Sequence, residues 1–540
     1  MFKRILTACA FLVAFCLQTR AADIAVFAPE AAYNQSMAKH VQRWLKNQSI
    51  ASDVVVQKNL PSVLPRVRLA FLVACSEPTA AEMKALTEYR SRGGRLIVLY
   101  SNSAQLASLM GVKQLGYAQA AYPRQWSRMD FSVNFPEGLP RSVSQCSGVL
   151  QKAVPLPGRG RVMATWSDRN GRPTGDAAWI STAAGYWMTH VLLSDGDEAL
   201  KSQLLGALVG CLVPDLWSYA RFKARAEAEH RALRAYALRQ VPRKGEIHAV
   251  WDHSGTGLYP GNWTKTMKVL QEARVTDLFV NVAGAGFAHY PSSVLPRSKV
   301  CAQEGDQLRA CLAAAQGTGI RVHAWMLCFT ATRSAPEVLS TFSKRGWLLK
   351  DKDGKLTEYL DPSNPTVRAY LIKAVDEIQA KYRVQGVHLD FVRWYERSVR
   401  PKNAADVISS FVSTVRQHVR RPAWLTAAVL GKYPTCIASV GQDWEGWLAA
   451  NSVDYVVPMD YAEDPAKFES FLMQHASVKA HARRTIVGLG VAANESRLNA
   501  RQVIDQINLV RKYNLPGVSL FDLNATLEDR IFPYLKLGLW

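Results

Sequence analysis

Acidic side chains are scarce. The 540 residues carry 44 Asp and Glu against 66 Lys and Arg, a formal charge of +22, with the arginines scattered along the chain. Such a surface attracts anionic partners, whether acidic polysaccharide, lipid headgroups or nucleic acid. No nucleic-acid motif occurs, so nucleic acid is not expected and an acidic glycan is the simplest partner. CxxC pairs and Cys/His ligand spacings are missing too, and no zinc or other metal site is expected. Without a GxGxxG turn or a P-loop, nucleotide binding has no support and no cofactor is expected. What remains, 48% hydrophobic and 20% charged, is ordinary globular composition in a chain too long for one core.

One apolar run stands apart. Lys3 and Arg4 precede Ile5 to Leu17, and Thr19-Arg-Ala21 follows. A charged start, a short apolar stretch and small residues at the exit predict a signal peptide over 1–21, cut after Ala21 or Ala22, and hence a periplasmic or exported protein. The run is too short to span as a mature transmembrane helix. A lipid anchor on Cys16 is disfavoured by the bulk of Phe15, and no later stretch reads as a membrane span. Seven of the nine cysteines lie beyond this segment: Cys75, Cys146, Cys211, Cys301, Cys311, Cys328 and Cys436. The odd number leaves at least one unpaired. Cys301 and Cys311 flank a short acidic segment and are the best local disulfide candidates in an oxidising compartment, whereas Cys75 and Cys328 sit in apolar runs and read as inert.

Residues 22–216 alternate strand and helix. Asp23-Ile-Ala-Val-Phe-Ala28, Asp53-Val-Val-Val56, Leu69-Ala-Phe-Leu-Val-Ala74 and Arg95-Leu-Ile-Val-Leu-Tyr100 are short apolar strands separated by helical stretches. That pattern predicts a parallel sheet covered on both faces, a doubly wound flavodoxin-like α/β domain. In outline it resembles the glutamine amidotransferases. It has no Gly-x-Cys-x-Gly elbow around Cys75 and no later His-x-Glu, so a structural role suits it better than a thiol nucleophile. From about Tyr117 to Ser194, Gly, Pro and aromatics predominate, and the segment is expected to be mostly loops with short strand-like pieces. A basic helical stretch (Arg221, Lys223, Arg225, Arg231, Arg234) makes 217–244 an expected linker.

From residue 245 to 540 eight strand candidates recur, each followed by a helical stretch: Glu246–Trp251, Asp277–Val282, Arg321–Met326, Gly386–Asp390, Trp424–Val429, Val453–Met459, Thr485–Gly490 and Pro516–Phe521. Eight such units predict a (β/α)8 TIM barrel. The third unit is longer than the others and is expected to supply a lid or wall.

Barrel enzymes gather their chemistry at strand C-termini. The stretch Gln385-Gly-Val-His-Leu-Asp-Phe-Val-Arg-Trp-Tyr-Glu396 reads as a buried strand opening into a polar mouth, with Asp390 as its terminal carboxylate. Asp390 is expected to be catalytic, with Asp460 and Glu396 rivals for the second acid. Asp252, His253, Asn281, His323, Trp325, His388, Arg393, Trp394 and Tyr461 are expected to bind substrate, and Tyr433 and Asp522 also reach the mouth. Paired carboxyls and aromatic planes without a metal triad suit glycosidic bond hydrolysis, which needs one protonated and one ionised carboxyl. Plainer readings accompany each. Asp252 can hold Ser254 or a glycine turn, Asp460 can cap a helix, Glu396 can be solvated, and His323 and His388 can be satisfied core histidines.

Val250-Trp-Asp-His-Ser-Gly255, His323-Ala-Trp325, Asp361-Pro-Ser-Asn-Pro-Thr-Val-Arg368, Gly386-Val-His-Leu-Asp390, Gln442-Asp-Trp444 and Pro458-Met-Asp-Tyr461 together resemble the bacterial family 10 glycosylhydrolase-like barrels. An amidotransferase-like domain before such a barrel is similar to some exported members. The resemblance implies a hydrolase of the cell envelope, with peptidoglycan glycan strands stripped of stem peptides as a known substrate in the group. Asp390 matches the family's strand-four acid. Phe391 and Trp394 replace the tyrosines of the usual Asp-Tyr-x-Arg-Tyr-Pro wording, which bears on subsite specificity. A non-catalytic glycan-binding or polysaccharide-assembly protein is the alternative. Linkage, endo or exo action, stereochemical outcome and oligomeric state are not encoded in any spacing along the chain.

Overall fold

The computed structural model describes residues 22–122, 124–132, 136–194 and 197–540. The expected signal peptide, with Cys16, lies outside them. Contacts divide the chain into two units that meet between Glu229 and His230, within the helix Tyr219–Leu238.

In the first unit, strands Asp53–Val56, Ile24–Ala28, Leu69–Cys75 and Arg95–Ser101 lie parallel in that order, and Gly185–Met188 continues them in parallel. Helix Ala32–Asn47 covers one face through Met37, Ala38, Val41, Trp44 and Leu45, an i, i+4, i+7, i+8 stripe. Where loops with short strand-like pieces were expected, the sheet goes on through four antiparallel strands, Pro173–Thr182, Gly160–Ser167, Trp126–Phe131 and Ser142–Ser147. Tight turns with glycine at positive φ, such as Gly171, let these short segments pair, and Trp126, Met129, Met163, Trp166 and Trp179 bury one face. Turn-forming composition hid the strands between the turns. Cys75 is buried with Sγ 3.8 Å from the Phe27 carbonyl, and burial drives its thiol far up, so it carries no nucleophile.

The second unit is a (β/α)8 barrel of strands β1 (Ile247–Asp252), β2 (Asp277–Gly284), β3 (Arg321–Leu327), β4 (Gly386–Asp390), β5 (Trp424–Val429), β6 (Tyr455–Pro458), β7 (Val487–Gly490) and β8 (Gly517–Phe521). Neighbours are parallel, β8 pairs with β1, and the bridges Val456–Thr485 and Met459–Gly488 join β6 to β7. The strands are buried on both faces, as parallel strands clad by helices must be. Helix Ala500–Lys512, opened by an Asn499/Gln502 capping box, buries Val503, Ile504, Ile507 and Val510 against the barrel.

Ile247, Ala249, Trp251, Phe279, Trp325, Leu327, Ala428, Val457 and Ile486 fill the lumen. Glycine makes room for the largest: a Cβ on Gly488 would lie 2.9 Å from the Trp251 ring, and one on Gly386 only 2.2 Å from His323 Nδ1. The bottom of the barrel is tied by Asp277 at the start of β2. Its carboxyl accepts two bonds from the Arg321 guanidinium at 2.7 Å and one from His323 Nε2 at 2.9 Å, and these hold it well below the usual carboxylate range despite burial. His323, expected at the mouth, is therefore a bottom-layer residue: it is third in β3, four residues before the strand's C-terminal end.

The long third unit carries helix Pro336–Lys344 and a two-stranded hairpin, Leu348–Lys350 with Leu356–Leu360, pinned to the barrel by a Thr330–Tyr359 bridge. Cys301 and Cys311, expected as a disulfide, are separate buried thiols. Each faces its own helix's packing surface, on Lys299–Glu304 and Gln307–Ala315. Among the described residues no helix is long and apolar enough to cross a membrane.

Candidate active site

Asp390 ends β4, where the buried strand gives way to the mouth. Its Oδ2 accepts from Trp325 Nε1 at 3.2 Å and its Oδ1 from the Phe391 amide at 2.6 Å. Burial raises the carboxyl's pKa, against the opposing pull of Arg393 and these two donors. The chain then turns sharply, with Phe391 in the left-handed region at φ 48°, a rare conformation for a large side chain and one that clusters at functional sites. The site thus holds a carboxyl that keeps its proton to higher pH than an exposed aspartate would.

The layer beneath is closed to substrate. His388 Nε2 accepts from Trp251 Nε1 at 2.9 Å, so its proton sits on Nδ1 and goes to Thr426 Oγ1 at 2.8 Å. The ring stacks on Phe279 at 4.2 Å, and burial drives its pKa far down. His388, expected to bind substrate, is a neutral core histidine with both nitrogens in use.

Asp252, at the end of β1, shapes a loop. Its Oδ1 takes the Ser254 hydroxyl at 2.6 Å and the amides of Ser254 and Gly255, and its Oδ2 takes the Gly257 amide at 2.9 Å. Both oxygens thus accept from the turn. His253 follows at the rim, its ring 5.8 Å from those of Trp325 and Phe521, with its pKa lowered by burial and by Arg333. Asn281 is enclosed on β2, where Nδ2 reaches the His253 carbonyl at 3.4 Å and Oδ1 has no partner among the described residues.

Three expected residues sit elsewhere. Asp460 is wholly enclosed behind β6, bonded through Oδ2 to His475 Nε2 at 2.8 Å, and a Cβ on Gly431 would lie 1.7 Å from its Oδ1. Glu396 points outward with its side chain 47% exposed, its nearest partner Arg393 Nε at 3.5 Å, so it lacks the burial a general acid needs. Trp394 is core, its indole donating to the Ala404 carbonyl, because the residues after Phe391 turn under the helix Ala404–His418. Tyr433 donates to Asp443 Oδ1 at 3.0 Å.

The mouth itself is walled by Trp325, Phe391, Tyr461, Phe521 and His253. Tyr461 stacks on Phe521 at 5.6 Å, and its phenol is driven far up by burial, with the negative charge of nearby carboxylates adding to the rise. Asp522, half-buried after β8, accepts from Asn524 Nδ2 at 2.8 Å; burial and the neighbouring Asp252 raise its pKa. Sequence reasoning missed Arg333, which stacks over Phe287 at 4.8 Å and donates to the His253 carbonyl. It also missed Tyr359, stacked face to face on Tyr395 at 3.9 Å. The alternation Leu356-Thr-Glu-Tyr-Leu360 signals a strand that would present Tyr359; nothing local marks Arg333. No cluster among the described residues has three or more potential metal ligands.

A Glycosyl hydrolase-like 10 family model matches residues 246–404. The chain is similar to the glycoside hydrolase domain of PgaB (BpsB) from Bordetella bronchiseptica, with 14% identity over 55% of this chain and 99% of that chain and a TM-score of 0.42. It is similar to a class V chitinase from Pseudomonas fluorescens, with 12% identity over 54% of this chain and 99% of that one and a TM-score of 0.37. A ThuA-like protein from Bacteroides uniformis is similar at 15% identity over 36% of this chain and 93% of that one, with a TM-score of 0.29. No curated protein matches the sequence.

Proposed function

We propose that this glycosyl hydrolase-like barrel cleaves glycosidic bonds in an anionic bacterial envelope glycan, most concretely peptidoglycan strands without stem peptides, after export to the periplasm. The observation that carries the reading is Asp390, a buried carboxyl at the C-terminal end of β4 whose pKa is raised by burial, within an aromatic-walled mouth. Such a group donates a proton to the leaving glycosidic oxygen. Asp522 is the second carboxyl in this reading, because it is half-buried at the same rim whereas Asp460 is sealed behind β6. In its ionised form, which burial and Asp252 displace to higher pH, Asp522 stabilises or attacks the oxocarbenium-like centre, or activates water there. Trp325, Phe521 and Tyr461 offer faces on which sugar rings stack. The +22 charge suits a polymer bearing lactyl carboxylates. The first unit, with Cys75 sealed, serves docking or substrate alignment.

The test is incubation of the mature protein with intact and amidase-stripped peptidoglycan, with soluble products read by mass spectrometry. Sugar-only fragments from the stripped sample, absent with Asp390→Asn, are expected. A protein that releases no fragment from either sample, or from other acidic polysaccharides, overturns the reading. One observation favours a second reading, glycan binding without turnover: of the three acids expected to be catalytic, only Asp390 stands at the mouth. Equal affinity of wild type and Asp390→Asn for strands that neither cleaves would establish it.

A further inference from the structure

This barrel saturates its enclosed arginines, with one exception. Arg416 binds Asp454 and the Val419 carbonyl. Arg511 binds Glu246 twice and the carbonyls of Val241 and Leu539. Arg321 is bidentate on Asp277. Arg393 is as enclosed as Arg416 and Arg511, with 12% of its side chain exposed against 14% for each of them, yet among the described residues it donates no hydrogen bond. Its Nη1 is fully enclosed and unpartnered, and its nearest carboxylate, Glu396, is 3.5 Å from Nε. Leaving a guanidinium half-dehydrated and unbonded is costly, and such groups are found where a ligand completes them.

The position of Arg393 says which ligand. It follows Asp390 by three residues, lies 4.4 Å over the Phe391 ring, and precedes by two residues Tyr395, which stacks on Tyr359 of the third-unit hairpin. Asp390 accepts from Trp325 and the Phe391 amide and makes no bond to Arg393 that would satisfy the guanidinium. Glu396, 3.5 Å from Arg393 Nε, also lines a cavity of about 420 Å³ with Asp351, Lys352, Asp353, Tyr395 and Arg397. A planar, permanently charged fork next to stacked rings matches a carboxylate carried on a sugar: the ring stacks while two oxygens meet two N–H groups.

We infer that Arg393 is the specificity residue of this mouth, taking the carboxylate of an acidic sugar that adjoins the bond held at Asp390. Glu396 holds the guanidinium in place at 3.5 Å until that carboxylate arrives. The inference rests on the glycan reading proposed above and adds to it the group that is recognised.

The experiment compares stripped peptidoglycan strands with the same strands after chemical reduction of their carboxylates to alcohols. Wild type is expected to favour the acidic strands by roughly tenfold to a hundredfold in kcat/KM, the scale of charge-assisted hydrogen bonds. Arg393→Gln is expected to lose that preference to within about twofold, its loss falling on the acidic strands; Arg393→Lys keeps part of the preference, because it retains the charge without the fork. Equal losses on both substrates, or an unchanged preference in Arg393→Gln, overturn the assignment. If wild type cleaves neither strand, the hydrolase reading fails, and calorimetry with the same two strands still decides this one. Tighter binding of the acidic strands by wild type, lost in Arg393→Gln, upholds it, and equal or absent binding of the two strands by wild type overturns it.

Discussion

Trp325 on β3 donates its indole N–H to Asp390 on β4 at 3.2 Å, although the residue level with Asp390 in the strand register is Leu327. The indole reaches up one pleat to meet the carboxyl from below. That donor favours the ionised form and works against burial, so the width of the pH range in which Asp390 can give a proton is set by the contest between them.

Replacing Trp325 by Phe keeps the wall and removes the donor. The pKa of Asp390 then rises further, and the alkaline limb of the kcat/KM profile moves to higher pH. The lost bond is worth about 1 kcal/mol, a rate change of roughly fivefold. A pH–rate profile of the variant checks this, and a limb that stays put belongs to another group.

Asp390→Asn is expected to lower kcat by roughly a hundredfold to ten thousandfold, the usual contribution of a positioned general acid. Its effect on stability has a definite sign. Because burial raises the folded-state pKa, the contribution of Asp390 is fully present below its ordinary value of 3.8 and is lost as pH rises through the raised value. The variant lacks this loss, so its melting temperature should gain on wild type from acid to neutral pH. Parallel thermal scans of the two proteins would show the curves diverging in that direction.

Asp522 and Asp460 separate by phenotype. Asp522→Asn should cost activity on the scale of Asp390→Asn with little change in melting temperature. His475→Ala strands a sealed Asp460 carboxylate and should cost about 3–5 kcal/mol of stability, the toll of breaking a buried pair. Denaturant titration beside single-substrate kinetics reads both, and the reverse pattern would return Asp460 to the chemistry.

At the other end of the barrel, Asp277→Asn removes the acceptor for Arg321 and His323 and is expected to cost about 3–5 kcal/mol while leaving kcat of the folded fraction near wild type. The Asp277 carboxyl is held far below its ordinary value, so its stabilisation is present above pH 3.8 and fades as the pH falls through the lowered value. Wild type and variant should therefore converge in acid, which chemical denaturation at several pH values measures.

Much of this was legible along the chain. Strand segments such as Gly386-Val-His-Leu-Asp390 announce themselves by apolar runs ending in a carboxylate, and eight such units leave few alternatives to a barrel. The antiparallel hairpin of Gly160–Ser167 and Pro173–Thr182 showed in the sequence only as short strand-like pieces, because turn residues dominate the composition around it. Histidines misled for a related reason. Alternation correctly puts His323 and His388 on the lumen side, but it does not say how deep each lies, and the depth makes one a partner of Asp277 and the other of Trp251 and Thr426.

By itself, then, the sequence determined the kind of protein: two α/β units, the second a barrel with Asp390 at the mouth end of its fourth strand, because periodicity and strand ends are local properties of the chain. Tertiary structure alone decided which polar side chains meet solvent and which are spent on the fold. Asp460 meets His475 across 15 residues, Trp325 meets Asp390 across 65, and Trp251 meets His388 across 137, and each meeting depends on the stagger of strands around the barrel and on how loops return to it. A carboxylate becomes acid, cap or counter-ion according to the donors and the dielectric around it, and those arrive from elsewhere in the chain.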